Sequence, residues 1–251
     1  MKNKIFKKLA GIFGYKLIDK NHIKNERILE KHSYLNTERI LNFLFKQKKI
    51  DYLIQIGAND GLRFDTLNTY IKKYKIKSLL VEPIKENFDE LRNNYKGYDN
   101  IIFENSAISV NNYISYLFKV NPKKLKNYSG EHFVGITSFD KKHLLKHGVK
   151  SHHIISENVT SVSMENLISK HNLKSFDLLF VDAEGYDGKI VIDFLTSALI
   201  KPVIILEFIH IKNDVFKNLI NNLEQKKYSF FSLGENLVCY SENDKKYIKF
   251  N

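Results

Sequence analysis

The sequence has few of the residues that build disulfide frameworks and no run long enough to span a membrane. It contains one cysteine, three prolines and no tryptophan among 251 residues. One cysteine excludes a disulfide scaffold and any cysteine-rich zinc or iron–sulfur site. The longest apolar runs, such as residues 178–181 and 203–206, fall far short of the roughly 18 residues of a spanning helix. With one thiol and no recognisable export signal, the chain is expected to act in the cytoplasm.

Positive charge is concentrated near the start of the chain. The net charge is +12, but residues 1–50 hold 13 basic and 4 acidic residues, whereas the remaining 201 residues hold 27 and 24. Only four of the 40 basic residues are arginines, the side chain best suited to paired hydrogen bonds with phosphates and base edges. We therefore expect no nucleic-acid partner.

Residues 1–50 are predicted to form a basic helical segment ahead of a main domain at residues 51–251. Apolar residues at positions 5, 6, 9, 12 and 13 have helical spacing, with lysines on the opposite face. Such a helix can contact an anionic membrane surface, at the inner face of the membrane, or pack on the domain with its lysines in solvent. A second helix is predicted to begin at about Asn36, a favourable N-cap residue, and to continue through Phe45.

From residue 51 onward, short apolar runs alternate with helical periods. The runs predict buried parallel strands, and the periods between them predict helices. Strands separated by helices indicate an α/β fold with a doubly wound, mostly parallel sheet. Residues 228–234 and 237–240 flank a turn, which predicts a C-terminal antiparallel hairpin. The other predicted strands are 52–56, 78–81, 101–103, 178–181 and 203–206, and the helices are 66–74, 84–95, 190–195 and 215–223.

Residues at about 111–174 interrupt this alternation. A strand is predicted at 113–120, a helix at 141–147 and an extended stretch at 153–163. We interpret this region as an insertion that covers the functional site. No internal repeat and no linker rich in proline, glycine or serine divides the chain further.

A glycine loop follows the first predicted strand. Gly57, Asn59 and Gly61 lie between this strand and a helix, where small residues let the backbone turn sharply and approach a ligand. The second strand ends at Glu82, whose carboxylate can accept hydrogen bonds from both ribose hydroxyls of an adenosine ligand. The residues after Gly61 include no third glycine of the kind that a dinucleotide site needs. The loop therefore favours S-adenosylmethionine over NAD.

Three blocks of the sequence resemble the FkbM family of S-adenosylmethionine-dependent methyltransferases. They are the glycine loop IGANDG at residues 56–61, the acidic block FVDAEGY at residues 180–186 and the strand PVIILE at residues 202–207. The resemblance covers most of residues 51–210, and the acidic block is its most specific part. The family usually has an acidic residue just before the loop, where this chain has Gln55, so any cofactor contact there becomes a neutral hydrogen bond.

The resemblance implies a Rossmann-like class I methyltransferase fold that binds S-adenosylmethionine. Glu82 is expected to hold the ribose, and Ser106 and Ala107 are expected to border the adenine. The predicted cofactor-binding residues are Gly57, Asn59, Gly61, Glu82, Ser106, Ala107 and Asp182.

The predicted catalytic residues are Asp182, Glu207 and His210. Asp182 ends the fourth strand and Glu207 lies near the end of the fifth, so their carboxylates are expected to converge at the ligand crevice. A hydroxyl acceptor needs a general base or a metal that lowers its pKa. Two alternatives stay open: the three residues bind a divalent Mg, Mn or Fe ion, or the site is metal-free with Asp182 or His210 as base. Glu184 is predicted to shape the following turn or accept backbone N–H bonds there.

His143 and His147 lie four residues apart on a predicted helix. Such a pair can bind zinc, but the adjacent glutamate of the H-E-x-x-H pattern is absent. We interpret the pair, with His152 and His153 beyond it, as part of a solvated histidine-rich lid.

The sequence thus predicts an O-methyltransferase acting on a hydroxyl of a sugar, in a nucleotide-sugar, polysaccharide or glycolipid precursor, as the resemblance implies. The alternatives are a methyltransferase for nucleic acid or another small molecule, a dinucleotide-dependent sugar-modifying enzyme, and a cofactor-binding scaffold without turnover. The acidic block lacks the Pro-Pro motif of nucleic-acid amino methylation, and the missing third glycine argues against a dinucleotide enzyme. The acceptor's identity and the oligomeric state are not predicted.

Overall fold

The computed structural model describes residue 12 and residues 36–48, 50–63, 65–110, 115–130 and 132–247. The predicted basic helix at the start of the chain lies outside these residues, apart from residue 12. Within the described residues, no helix is both long enough and apolar enough to cross a membrane.

The described residues form twelve strands and eight α-helices. The strands are β1 (Tyr52–Ile56), β2 (Lys77–Val81), β3 (Ile101–Glu104), β4 (Ala107–Ile108), β5 (Ser115–Val120), β6 (Thr137–Ser138), β7 (Ile154–Val159), β8 (Ser161–Val162), β9 (Leu178–Val181), β10 (Val203–Glu207), β11 (Tyr228–Leu233) and β12 (Asn236–Ser241). The α-helices are α1 (Thr37–Phe43), α2 (Asn68–Tyr74), α3 (Lys85–Asn94), α4 (His132–Gly135), α5 (Lys141–Lys146), α6 (Met164–Lys170), α7 (Asp187–Ser197) and α8 (Asn213–Gln225). Shorter helical turns are a π segment at Leu44–Lys48 and 3₁₀ segments at Pro122–Asn127, Ser151–His153 and Glu242–Tyr247.

Seven strands form the central sheet, in the order β11-β12-β10-β9-β1-β2-β3. The pairs from β10 to β3 are parallel, whereas β12 is antiparallel to both β10 and β11. This topology confirms the predicted Rossmann-like class I methyltransferase sheet with a C-terminal hairpin. Each predicted strand and helix of this part of the fold lies within three residues of its observed bounds.

Alternate residues of the central strands face two separate cores, one on each side of the sheet. Ile54 and Leu179 belong to one core, whereas their chain neighbours Leu53 and Leu178 belong to the other. Because both faces are buried, the strands are continuous apolar runs instead of alternating patterns. Helices α6, α7 and α8 cover the first face, and α1, α2 and α3 cover the second.

Helix α1 begins where the sequence predicts. The Asn36 side chain accepts a hydrogen bond from the backbone N–H of Arg39 at 2.8 Å, which satisfies a donor that the helix itself leaves unpaired. Ile40 and Leu41 are buried in the second core. This helix therefore packs directly on the sheet that the chain builds from residue 51 onward.

Two small sheets contain strands of the predicted insertion. β5 pairs antiparallel with β6 and β7, and β4 pairs in parallel with β8. The predicted strand, helix and extended stretch of this region correspond to β5, α5, and β7 with β8. Leu144 of α5 is fully buried in a small core of the insertion, and this burial fixes the orientation of the helix.

Candidate active site

A cavity of about 370 Å³ lies at the carboxyl ends of β1, β2, β9 and β10. These ends meet at one edge of the sheet, which is where open α/β folds bind their ligands. All the predicted site residues line the cavity apart from Gly61. Residues 135–139 and His147 line it from the insertion. The cavity size falls within the range of about 300–1,000 Å³ that is usual for small-molecule sites.

Gly57 allows two strand ends to approach closely at this cavity. Its φ angle is 83°, a left-handed conformation that favours glycine. A Cβ atom at this position would lie 1.8 Å from the backbone oxygen of Asp182. The obstacle is backbone of the neighbouring strand end, so a side-chain rotation cannot relieve the clash. Only glycine fits here.

Gly61 has a different role in the same loop. A Cβ atom there would lie 2.6 Å from Cδ1 of Leu91 and 2.8 Å from a ring carbon of Tyr95. The glycine therefore permits close packing of the loop against α3 and the residues that follow it. The loop's contact with the cavity comes from residues 56–59.

Glu82 joins the end of β2 to the glycine loop. Its carboxylate accepts hydrogen bonds from the backbone N–H of Asn59 at 3.0 Å and from that of Ile84 at 2.9 Å. The residue is only 4% exposed. Burial raises the pKa of Glu82 to about 7, although the two backbone donors oppose the shift. The predicted ribose-binding residue is thus a buried acceptor that also holds the loop in place.

Ser106 and Ala107 lie just beyond β3 and line the cavity, as predicted for the adenine border. Both are buried. Ala107 begins β4, and its backbone N–H donates to the carbonyl oxygen of Thr160 at 2.8 Å. The insertion thereby fixes the position of this wall.

A half-buried carboxylate that the sequence analysis missed lies beside the glycine loop. Asp65 accepts a hydrogen bond from Nε2 of Gln55 at 3.1 Å and from the backbone N–H of Leu67 at 2.8 Å. Among the described residues, Oδ2 of Asp65 and Oε1 of Gln55 are buried with no hydrogen-bond partner within 3.5 Å. Burial raises the pKa of Asp65, and both side chains line the cavity. The sequence feature that could have pointed to Asp65 is Gln55, because it stands where the family usually has an acidic residue.

Asp182 and Glu207 carry strongly shifted pKa values at neighbouring strand ends. Burial, followed by repulsion from Glu184 and Glu235, raises the pKa of Asp182 to about 6. Burial, followed by repulsion from Asp182 and other carboxylates, raises the pKa of Glu207 to about 8. Acids tuned to near-neutral pKa values in a cavity are typical of groups that move protons.

The turn after Asp182 is held by a residue that the sequence analysis did not single out. The buried carboxylate of Asp187 accepts hydrogen bonds from the backbone N–H groups of Ala183 at 2.9 Å and Gly185 at 3.0 Å. Asp187 thus accepts the backbone hydrogen bonds that were one of the two predicted roles of Glu184. Glu184 instead lies in the left-handed region, with φ of 49°, and its Oε2 atom is 3.0 Å from Nε2 of His143.

The interpretation of these histidines as a solvated lid is wrong for His143, whereas His147 is half-buried and His152 is exposed. The His143 side chain is only 10% exposed. Its ring centroid lies 4.6 Å from that of His147 and 4.9 Å from that of His210, and the His147 and His210 centroids are 5.1 Å apart. The fold brings α5 of the insertion against the loop after β10. His153 is also buried, with Nδ1 at 2.7 Å from the Tyr128 hydroxyl.

The predicted trio of Asp182, Glu207 and His210 is only partly gathered. Oε2 of Glu207 lies 4.0 Å from Nε2 of His210. The described residues form two groups whose potential metal-binding atoms lie within 4.8 Å of one another: one consists of His143, His147 and His210, and the other of Glu184, Glu207 and His210. Asp182 belongs to neither of these groups, and so it is separate from the best-clustered ligand atoms.

Comparisons with known proteins identify the family of this chain. The sequence model of the methyltransferase FkbM domain matches residues 55–230. A search of curated proteins finds no match. Among solved structures, the chain resembles the methyltransferase FkbM from Methylobacillus flagellatus KT (12% identity, 76% of this chain and 44% of that chain, TM-score 0.45). It also resembles the O-methyltransferase from Bacillus cereus in complex with SAH (9% identity, 94% and 96%, TM-score 0.43). The domain match covers more than half of the chain, and the chain therefore belongs to the FkbM family of S-adenosylmethionine-dependent methyltransferases.

Proposed function

We propose that this methyltransferase transfers a methyl group to a hydroxyl of a sugar, in a nucleotide-sugar, polysaccharide or glycolipid precursor. The observation that carries the proposal is the position of Asp182 and Glu207, two carboxylates at neighbouring strand ends that line the same cavity as the glycine loop. A hydroxyl is a poor nucleophile unless a base accepts its proton. Carboxylates and imidazoles along the wall also suit an acceptor that carries several hydroxyls.

The glycine-loop end of the cavity fits S-adenosylmethionine. The bare backbone at Gly57 lets the loop lie directly against the Asp182 backbone at the cavity, because any side chain there would clash with it. Each oxygen of Glu82 accepts one backbone N–H, and the Asn87 side chain makes a third hydrogen bond, so the carboxylate retains one lone pair for a ribose hydroxyl. Ser106 and Ala107 form the adjoining buried wall for the adenine.

Asp65 replaces the acidic group that the family usually has at the position of Gln55. Gln55 donates to Oδ1 of Asp65, so the carboxylate on its Oδ2 side, next to the Tyr95 hydroxyl, is left to interact with a cationic group in the cavity. The ammonium group of the cofactor's methionine portion is such a cation. An aspartate displaced by ten residues thereby provides the carboxylate that Gln55 lacks.

We assign the transfer of the acceptor's proton to Asp182 and a hydrogen bond to the acceptor to Glu207. When bound, S-adenosylmethionine supplies a methyl group on a positively charged sulfur. Asp182 has the lower pKa of the two acids and is ionised at neutral pH, so it would accept the proton of the acceptor hydroxyl that takes this methyl group. Glu207 keeps its proton, because its pKa is raised to about 8, and it donates a hydrogen bond to a second acceptor oxygen.

The proposal is tested on the full chain in two stages. Calorimetric titration is expected to show binding of S-adenosylmethionine and none of NAD. Incubation with a panel of nucleotide sugars and oligosaccharides is then followed by mass spectrometry of the products, with release of S-adenosylhomocysteine as the second readout. A methylated sugar supports the proposal. Methylation of RNA, DNA or protein substrates with no methylated sugar would refute it.

A further inference from the structure

Three histidines from two distant parts of the chain meet at the wall of the cavity. His143 and His147 are four residues apart at the end of α5, so they lie on the same helix face. His210 comes from the loop after β10. Each of the three offers a ring nitrogen, and these nitrogens all lie within 4.8 Å of one another.

This spacing is close to that of ligands around one metal ion. A tetrahedral zinc ion with nitrogen ligands at about 2.0–2.1 Å holds them about 3.4 Å apart. Rotation about the side-chain bonds can close the remaining difference, because the backbones of α5 and the loop are already in place. Three imidazoles are a recurrent ligand set for divalent transition metals.

A carboxylate completes the set. Oε2 of Glu184 lies 3.0 Å from Nε2 of His143 and also belongs to the group with Glu207 and His210. The turn that carries Glu184 approaches the loop of His210 closely, since a Cβ at Gly185 would lie 3.1 Å from the His210 backbone oxygen. Glycine at this position allows the two segments to come together.

We propose that His143, His147 and His210 bind a divalent transition metal ion of the zinc class, with the Glu184 carboxylate as the fourth ligand. Nitrogen-rich ligation favours zinc, cobalt or ferrous iron over magnesium, which prefers oxygen ligands. The site differs from the predicted Asp182, Glu207 and His210 trio, and it leaves Asp182 outside the metal's ligands. Since His147, His210 and Glu184 line the cavity, the ion lies where an acceptor bound in the cavity can reach it.

The test measures metal binding alone, so it is independent of whether the acceptor is a sugar. Chelator-treated full-length protein is titrated with cobalt(II) chloride and followed by visible absorption, and with zinc chloride by calorimetry. One equivalent of each ion is expected to bind, with cobalt absorption bands of tetrahedral intensity. His147→Ala and His210→Ala are expected to weaken metal binding at least 10–100-fold. This range is the loss that follows mutation of a residue that only orients a metal ligand, and removal of a ligand itself should cost no less.

His152→Ala is the matched control, because His152 is exposed on the same insertion and packs on His153 outside the cluster. This variant is expected to bind cobalt like the wild type. Circular dichroism and thermal unfolding of each variant separate loss of a ligand from loss of the fold. The proposal is overturned if the wild-type protein binds neither ion stoichiometrically, or if folded His147→Ala and His210→Ala bind cobalt with unchanged affinity and spectrum.

Discussion

Substitution of Gly57 by alanine tests the closest backbone approach in the site. The glycine has φ of 83°, and a Cβ atom there would lie 1.8 Å from the Asp182 backbone oxygen. Contacts of a Cβ below about 3 Å are essentially never tolerated, so the oxygen and the added carbon must separate by about 1 Å. The segment that carries Asp182 follows β9, which pairs directly with β1. The substitution is therefore expected to disturb both strands and the acid that ends β9.

The expected loss in the free energy of unfolding of Gly57→Ala has two parts, and Gly97→Ala serves as the control that shows the first part alone. A left-handed backbone costs a residue with a Cβ about 1–2 kcal/mol. Gly97 has φ of 89°, but a Cβ there would meet no atom within 4 Å, so Gly97→Ala should show this backbone cost alone. Gly57→Ala adds the strain of overpacking, about 1–3 kcal/mol. We expect losses of about 2–5 kcal/mol for Gly57→Ala and about 1–2 kcal/mol for Gly97→Ala.

Urea denaturation followed by circular dichroism gives the free energy of unfolding of both variants, provided that the denaturant slope is unchanged. Calorimetry with S-adenosylmethionine gives the second readout. Gly57→Ala is expected to lose cofactor binding, whereas Gly97→Ala keeps it. Equal destabilisation of the two variants, or normal cofactor affinity in Gly57→Ala, would show that the strand ends are not held as closely as the structure indicates.

Three further predictions concern acids that line the cavity. Asp182→Asn is expected to keep the fold and slow methyl transfer about 10²–10⁴-fold, the usual contribution of a general base; near-normal turnover in a product assay contradicts the assigned role. Glu82→Gln keeps only one acceptor oxygen and leaves one buried backbone N–H without a partner. Calorimetry should therefore show cofactor affinity weakened by about 1–3 kcal/mol. An unchanged affinity would place the ribose elsewhere. The pKa of Glu207 is raised from 4.5 to about 8, so between these values the folded protein holds more protons than the unfolded chain and its stability falls as pH rises. Glu207→Gln should flatten this fall in urea denaturations across that range, and an unaltered pH profile would argue against the shifted pKa.

Local sequence patterns were sufficient to predict most of the fold. Continuous apolar runs identify strands buried on both faces, and helical periods identify the helices between them. The largest boundary difference is at α7, which begins at Asp187 although the apolar period begins only at residue 190. Asp187 is polar yet fully buried, because it accepts the N–H groups of the preceding turn. A periodicity argument cannot anticipate a polar residue that is buried for this reason.

The sequence by itself determined the order of strands and helices, the glycine loop and the acids at the strand ends, because these depend on turn chemistry and periodicity within about ten residues. Only the tertiary structure decided that Asp65 meets Gln55, that Asp187 holds the turn beside Glu184, and that His210 joins the two histidines of α5. Helix α5 of the insertion and the loop after β10 come together through packing of His143 and His147 on His210, which lies more than sixty residues further along the chain. Burial produced by that packing also raises the pKa values of Asp182 and Glu207, since a carboxylate's charge is costly wherever water is excluded.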